Sequence, residues 1–182
     1  MKKLTFLVFA VMALCSCKNN LNNELKKTDS LLSVSSMTDS LVALFDSDTA
    51  HSRFAEMKQE IDFIGEKMMV LPENRKHRAA VSDYANLYKG FRRVFKTLGE
   101  IKKENEINKL QLQALKSDLG NHLLSNEETA TYLTEEMNAV TQVSDKLREQ
   151  TEKYLHLCSK REELHPLVIT VTDSLKKMKN IP

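Results

Sequence analysis

Residues 80–119 read AVSDYANLYKGFRRVFKTLGEIKKENEINKLQLQALKSDL, and the placing of their apolar side chains decides the fold. Ala80, Tyr84, Leu87, Phe91, Val94, Leu98 and Ile101 recur at spacings that alternate between three and four. After Asn105 and Asn108 the alternation resumes through Leu112, Leu115 and Leu119. A period of 3.5 kept up over such a length puts one stripe on one side of a helix and predicts heptad packing against other helices. The two asparagines admit two readings. Buried in the stripe, they would fix register at a cost in stability. Alternatively the stripe drifts onto Ile107, Leu110 and Ala114 and leaves both asparagines wet, and this is the preferred reading.

The same alternation flanks this stretch on both sides. Upstream it runs through Leu31, Val34, Thr38, Leu41 and Phe45, pauses at Asp46–Thr49, and returns as Phe54, Met57, Ile61, Ile64, Met68 and Leu71 before Pro72 stops it. Downstream, Gly120-Asn121 is a helix stop, and Ser125 with Glu128 three residues later is a capping box. A third arm follows through Ala130, Leu133, Met137, Val140, Ser144, Leu147, Thr151, Tyr154 and Cys158. It slips phase near Arg161 and resumes as Leu164, Val168, Val171, Leu175 and Met178. The Asp46–Thr49 break and Gly99 are expected to face each other in a shared bend, and Pro166 to kink or restart the third arm. Val168–Thr172 is rich in strand-forming residues but has no partner strand, so it is read as helix.

The arms span about 20–71, 75–122 and 126–179, and short connections between them make neighbours antiparallel. The expected fold class is all-α: an elongated antiparallel three-arm helical bundle with coiled-coil-like heptad seams. A two-helix hairpin would leave the first arm's stripe in water. With 4 glycines and 3 prolines in 182 residues, the chain lacks the punctuation of a many-stranded sheet. Without tryptophan, and with 6% aromatics, a large core around a deep pocket is hard to build.

The first residues carry a different signal. Lys2 and Lys3 precede an apolar run from Leu4 to Leu14 that is too short to span a bilayer, and Leu14-Cys15-Ser16-Cys17 closes it. The segment resembles a bacterial lipoprotein signal. That resemblance implies removal of residues 1–16, lipidation of Cys17, a polar tether over 17–23 and one bundle domain over 24–182. Because the first acidic residue after Cys17 is Glu24, it also implies an outer-membrane anchor facing the periplasm. Loss of Lys2 and Lys3 would leave 25 basic against 25 acidic residues, so overall charge gives no argument for nucleic acid. Cys158 would then be the one thiol in the body, packed as a small apolar residue or paired between molecules.

No motif for catalysis, cofactor or metal stands out. The five histidines (His51, His77, His122, His156, His165) are never four apart and read as solvated. The adjacent acids Glu127-Glu128, Glu135-Glu136 and Glu162-Glu163 point in different directions on a helix and read as solvated faces or helix-start charge. Charge is uneven, however. From Glu73 to Lys103 nine bases (Arg75, Lys76, Arg78, Lys89, Arg92, Arg93, Lys96, Lys102, Lys103) stand against three acids, and from Glu104 to His165 twelve acids stand against seven bases. The two stretches could face each other and set arm order, which is the preferred reading, or the basic one could be a patch for a partner.

The expected function is that of a membrane-tethered, non-enzymatic scaffold, spacer or partner-binding bundle. Its partners are the lipid bilayer through Cys17 and an envelope protein or anionic envelope polymer, with no cofactor and with self-association left open. The alternative is a carrier or chaperone for an apolar ligand or client, with Met57, Met68, Met69, Met137 and Met178 as an adaptable lining. An enzyme without a recognisable motif stands third.

Overall fold

A computed structural model describes the backbone over 2–45, 48–67 and 75–179, with side chains over 21–45, 50–67 and 76–178. Four helices make up the described residues: α1 (Lys2–Phe45), α2 (Asp48–Glu66), α3 (Arg75–Gly120) and α4 (Asn126–Lys179). Strands are absent among them, and the fold class is all-α, a helical bundle. Helix α1 passes through 17–23, the expected tether. Of the expected break Asp46–Thr49, Asp48 and Thr49 already belong to α2 and the first two residues lie outside the described ones, whereas Gly99 lies inside an uninterrupted α3. Pro72, Met68 and Leu71 lie outside the described residues. α4 runs through Pro166 without restarting, and the Pro166 carbonyl accepts the Thr170 hydroxyl at 2.9 Å.

The chain forms two compact units, one of Met1–Ser40 with Lys102–Asp145, the other of Leu41–Ile101 with Lys146–Pro182. In the first unit, ties between α1 and α3 run Asp29 to Lys116 and Asp39 to Lys109, so the two helices are antiparallel. Its seam is polar. Thr28, Ser35, Thr38, Asn105, Asn108 and Thr129 are buried beside Leu112, Leu115, Leu119, Val140 and Val143. The preferred drift reading of the asparagines is overturned: Asn105 is 1% exposed, while Ile107 and Leu110 are 56% and 66% exposed. Asn105 Nδ2 donates to the Ser35 carbonyl at 2.8 Å and to Asp39 Oδ1 at 2.6 Å, which only a buried position allows. The α1 seam shifts accordingly. It buries Ser35 and exposes the expected Val34, because Asn105 needs the Ser35 carbonyl against it, while the expected Thr38 stays buried.

The tetrad Thr-Asp-Ser-Leu, which begins at Thr28, Thr38 and Thr172, supplies seam positions. All three threonines are buried, and each hydroxyl donates to the carbonyl four residues back. That bond satisfies a hydroxyl inside a seam without a partner from another helix. In the two α1 copies the next residue is the aspartate that reaches α3. Burial alone would raise the Asp39 carboxyl, but hydrogen bonds from Lys109 and Asn105, together with the charges of Lys109 and Lys102, hold it below the ordinary range. On α4 the seam takes Thr129 and half-buried Glu136 where Ala130 and Met137 were expected, and Met137 is 50% exposed. Spacings of three and four both fit this arm, and choosing the more apolar residue picks the wrong neighbour. Burial, and then the charge of Glu135, pushes the Glu136 carboxyl up.

The second unit packs α2, α3 and α4 around Met57, Ile64, Tyr84, Phe91, Val168, Val171 and Leu175. Phe54 stacks on Tyr88 with centroids 4.6 Å apart, and Phe91 meets Tyr154 edge-on at 5.6 Å. Glu56 pairs with Arg161 and Glu60 with His165, so α2 and α4 run in the same direction. α3 opposes both, since His51 stacks on Phe95 while Glu60 meets Tyr84. Gly90 marks the closest approach of α3 to α4, where a Cβ would stand 2.8 Å from Leu157 Cδ2. The strand-like Val168–Thr172 is helical, with Val168 and Val171 fully buried.

Between α3 and α4 the left-handed stop is two residues later than Gly120 would place it. His122 adopts φ 56°, Leu123 N–H donates to the Asp118 carbonyl and His122 N–H to that of Leu119, a Schellman arrangement with histidine in the left-handed position. The capping box closes the next turn: Glu128 N–H donates to Ser125 Oγ at 3.2 Å, and Ser125 N–H donates to Glu128 Oε2 at 2.8 Å. These bonds from Ser125 keep the Glu128 carboxyl below its usual range.

Glycine is the residue a left-handed helix end favours, and alanine the residue an exposed helix interior favours. His122→Gly should therefore raise stability, as should Gly99→Ala, where nothing lies within 4 Å of the added Cβ. Each change is expected to contribute about 1 kcal/mol in urea unfolding. Asp39 has a depressed pKa, so its contribution is present above the ordinary aspartate value of 3.8 and is lost as pH falls below it. Asp39→Asn should flatten the acid side of the stability profile.

Candidate functional site

Residues from three helices meet in a polar cluster within the second unit. Glu56 and Glu60 stand one turn apart on α2 and so share a face. Tyr84 of α3 donates its hydroxyl to Glu60 Oε2 at 2.6 Å, and His165 Nε2 of α4 lies 2.8 Å from Glu60 Oε1. Arg161, one turn before His165, donates Nη2 to Glu56 Oε2 at 2.5 Å. The imidazole lies nearly parallel to the Tyr84 ring, at 19° and a centroid distance of 6.0 Å. Burial, followed by the bond to Glu60 and its charge, pushes the Tyr84 hydroxyl well above its ordinary value. Arg161 acts in the opposite direction and is outweighed.

His165 is thus not the solvated histidine expected: its side chain is 24% exposed, and that of Glu60 is 11% exposed. The partners are 105 residues apart, so no local spacing announces them. The one local sign is the pair of glutamates four apart on an amphipathic helix. One ligand atom each from Glu56, Glu60 and His165 lie within 4.8 Å of one another. Of the other histidines, His51, His122 and His156 are exposed and His77 is half-buried.

The predicted basic residues separate into groups. Arg78, Lys89, Arg92, Arg93 and Lys96 are exposed on the second unit's part of α3. At 3.6 residues per turn they project about 180° from the stripe Ala80, Tyr84, Phe91, Val94 and Leu98. They cannot zip against an acidic stretch across that seam, so the arm-ordering reading of the charge asymmetry is overturned for these five. Lys96 pairs with Glu100 of its own helix, at 3.7 Å. Lys76 is exposed but points away from this face, Lys102 acts on Asp39, and Lys103 is exposed in the first unit. The Arg75 side chain lies outside the described residues, as do Cys17, Met68 and Met69.

Beside the cluster, Phe54, Met57, Phe91, Tyr154, Cys158 and Arg161 are among the residues lining a cavity of about 20 Å³, which is room for one water. Cys158 is a half-buried free thiol on that wall. Of the methionines expected to line a carrier, Met57 is 1% exposed, Met137 50% and Met178 43%. No helix among the described residues is long and apolar enough to cross a membrane.

Tyr84→Phe removes the donor to a carboxylate oxygen that the fold shields, and should cost about 1–3 kcal/mol in denaturant unfolding. Because the folded-state pKa of Tyr84 is raised, its share of stability is complete below the ordinary value of 10.0 and is lost as pH rises beyond it. The wild type should therefore lose stability in alkali more steeply than Tyr84→Phe. Compared with protein-family models, curated proteins and solved structures, the chain matches none.

Proposed function

We propose that the protein is a lipid-anchored, non-enzymatic helical bundle of the bacterial cell envelope that holds an anionic partner against the basic face of α3. The observation that carries this reading is the set Arg78, Lys89, Arg92, Arg93 and Lys96, displayed on the side of α3 away from its packed seam. Five cations on one exposed face create a positive potential that attracts acidic groups and speeds encounter. Screening by salt limits the affinity of such a surface. An acyl anchor offsets that weakness, because confinement to a membrane raises the effective concentration of bundle and partner. The basic, apolar, cysteine-terminated stretch from Lys2 to Cys17 supports the anchor, with Cys17 as the acylated residue and the outer membrane, periplasmic side, as the location. The partner class is an anionic envelope polymer or an acidic envelope protein. A carrier of apolar ligands fits less well, since the cavity beside the second unit's core is water-sized.

Two measurements test the reading. The intact mass of protein extracted from membranes should exceed that of the chain starting at Cys17 by the mass of its acyl groups, and Cys17→Ser should release the protein into the soluble fraction. A photo-crosslinker at Lys89 in cells should capture one dominant partner, and capture should fall at least tenfold when Arg92 and Arg93 are changed to glutamate. An unmodified Cys17, or capture indifferent to the charge reversal, overturns the proposal.

A further inference from the structure

We propose that Glu56, Glu60 and His165 form a site for a divalent first-row transition metal, with zinc as the representative ion, that staples α2 to α4. The inference rests on the geometry of the second unit and is independent of the anchor and of the basic face. The donor set is one imidazole nitrogen and two carboxylates, each able to present an atom within 4.8 Å of the others. Calcium calls for six to eight oxygens, whereas nitrogen with a few oxygens suits zinc and its neighbours.

The surroundings are those of ligands held for a metal. Each glutamate has its Oε2 occupied by a neighbour's donor, Tyr84 OH for Glu60 and Arg161 Nη2 for Glu56. A carboxylate pinned through one oxygen presents the other, and such outer contacts orient metal ligands. The Tyr84 ring, nearly parallel to the imidazole, limits the plane in which His165 can present Nε2. Two carboxylates face one guanidinium in this cluster, a balance that favours a cation.

Binding would need small movements. Ligand atoms around tetrahedral zinc sit about 3.3 Å apart. Glu60 Oε1 and His165 Nε2, now 2.8 Å apart, would separate slightly, and the imidazole, as the tautomer that carries its proton on Nδ1, would take the metal through Nε2. The Glu56 side chain, 50% exposed and held through Oε2 by Arg161, would turn its other oxygen inward, with water completing the coordination.

The test uses the full chain in chelator-stripped buffer. Calorimetric titration with zinc chloride should give one saturable site per chain, and zinc should raise the melting temperature by several degrees where calcium does not. His165→Ala should abolish that site, Glu56→Gln should weaken it at least tenfold, and Tyr84→Phe should weaken it by about tenfold through lost orientation. Glu56 is a surface residue, so Glu56→Gln keeps the fold and decides the matter even if His165→Ala does not fold. Absence of saturable zinc binding in the wild type, or zinc affinity unchanged by Glu56→Gln, overturns the proposal.

Discussion

Helix α3 contributes to both compact units, and its need to keep one stripe out of water governs how the other helices lie. From Ala80 to Ile101 that stripe is apolar, and aromatic at Tyr84 and Phe91. From Asn105 to Leu119 it begins with two amides and ends in leucines. Burial of each large apolar side chain stabilises by about 1.5–3 kcal/mol, with no preference for register. The Asn105 amide has such a preference, because a buried Nδ2 without an acceptor costs about 1–3 kcal/mol. Asn105 thus tells α1 where to lie. Ser35 must present its carbonyl and Asp39 its carboxylate, and every other α1 seam position in the first unit follows from those two contacts.

The two units solve the packing problem differently. In the first, small hydroxyl residues fill the seam, and the hydroxyls of Thr28 and Thr38 are satisfied by their own helix, whereas the buried Ser35 hydroxyl has no partner. In the second, aromatic rings and branched aliphatics fill it, and the polar chemistry gathers around Glu60, which three helices supply. A carboxylate that is 11% exposed persists there because both of its oxygens have partners. The cost of breaking any one contact is the cost of leaving that carboxylate partly unsolvated, which makes the cluster a lock on the relation of α2, α3 and α4.

The surface shows what the interior does not use. Val34 and Met37 of α1, with Ile107 and Leu110 of α3, are apolar and exposed in the first unit, while threonine, serine and asparagine are buried. This inversion explains why the seam was read wrongly wherever the more apolar residue was taken to be the inward one. The basic residues of α3 misled for a related reason. Their count along the chain suggested a zipper with acids elsewhere, yet rotation about the helix axis sets them opposite the packed side. Helix geometry applied to Arg78, Lys89, Arg92, Arg93 and Lys96 would have revealed the face from the sequence. Nothing local would have revealed Glu60 with His165.

The sequence by itself determined that the described residues are helical, where the α3 seam runs from Ala80 to Ile101, that Gly120-Asn121 and the capping box at Ser125 end one helix and begin the next, and that Val168–Thr172 is no strand. These follow from short-range spacing and backbone propensity, which are written into consecutive residues. Only the tertiary structure decided which of two neighbouring residues enters a seam, since spacings of three and four both fit and the choice falls to contacts from another helix. Only it placed Asn105 against Ser35 and Asp39, and brought Glu56 and Glu60 to Arg161 and His165. A hydrogen bond between residues 70 or 105 positions apart has no local signature, because its energy exists only once separate helices have been packed.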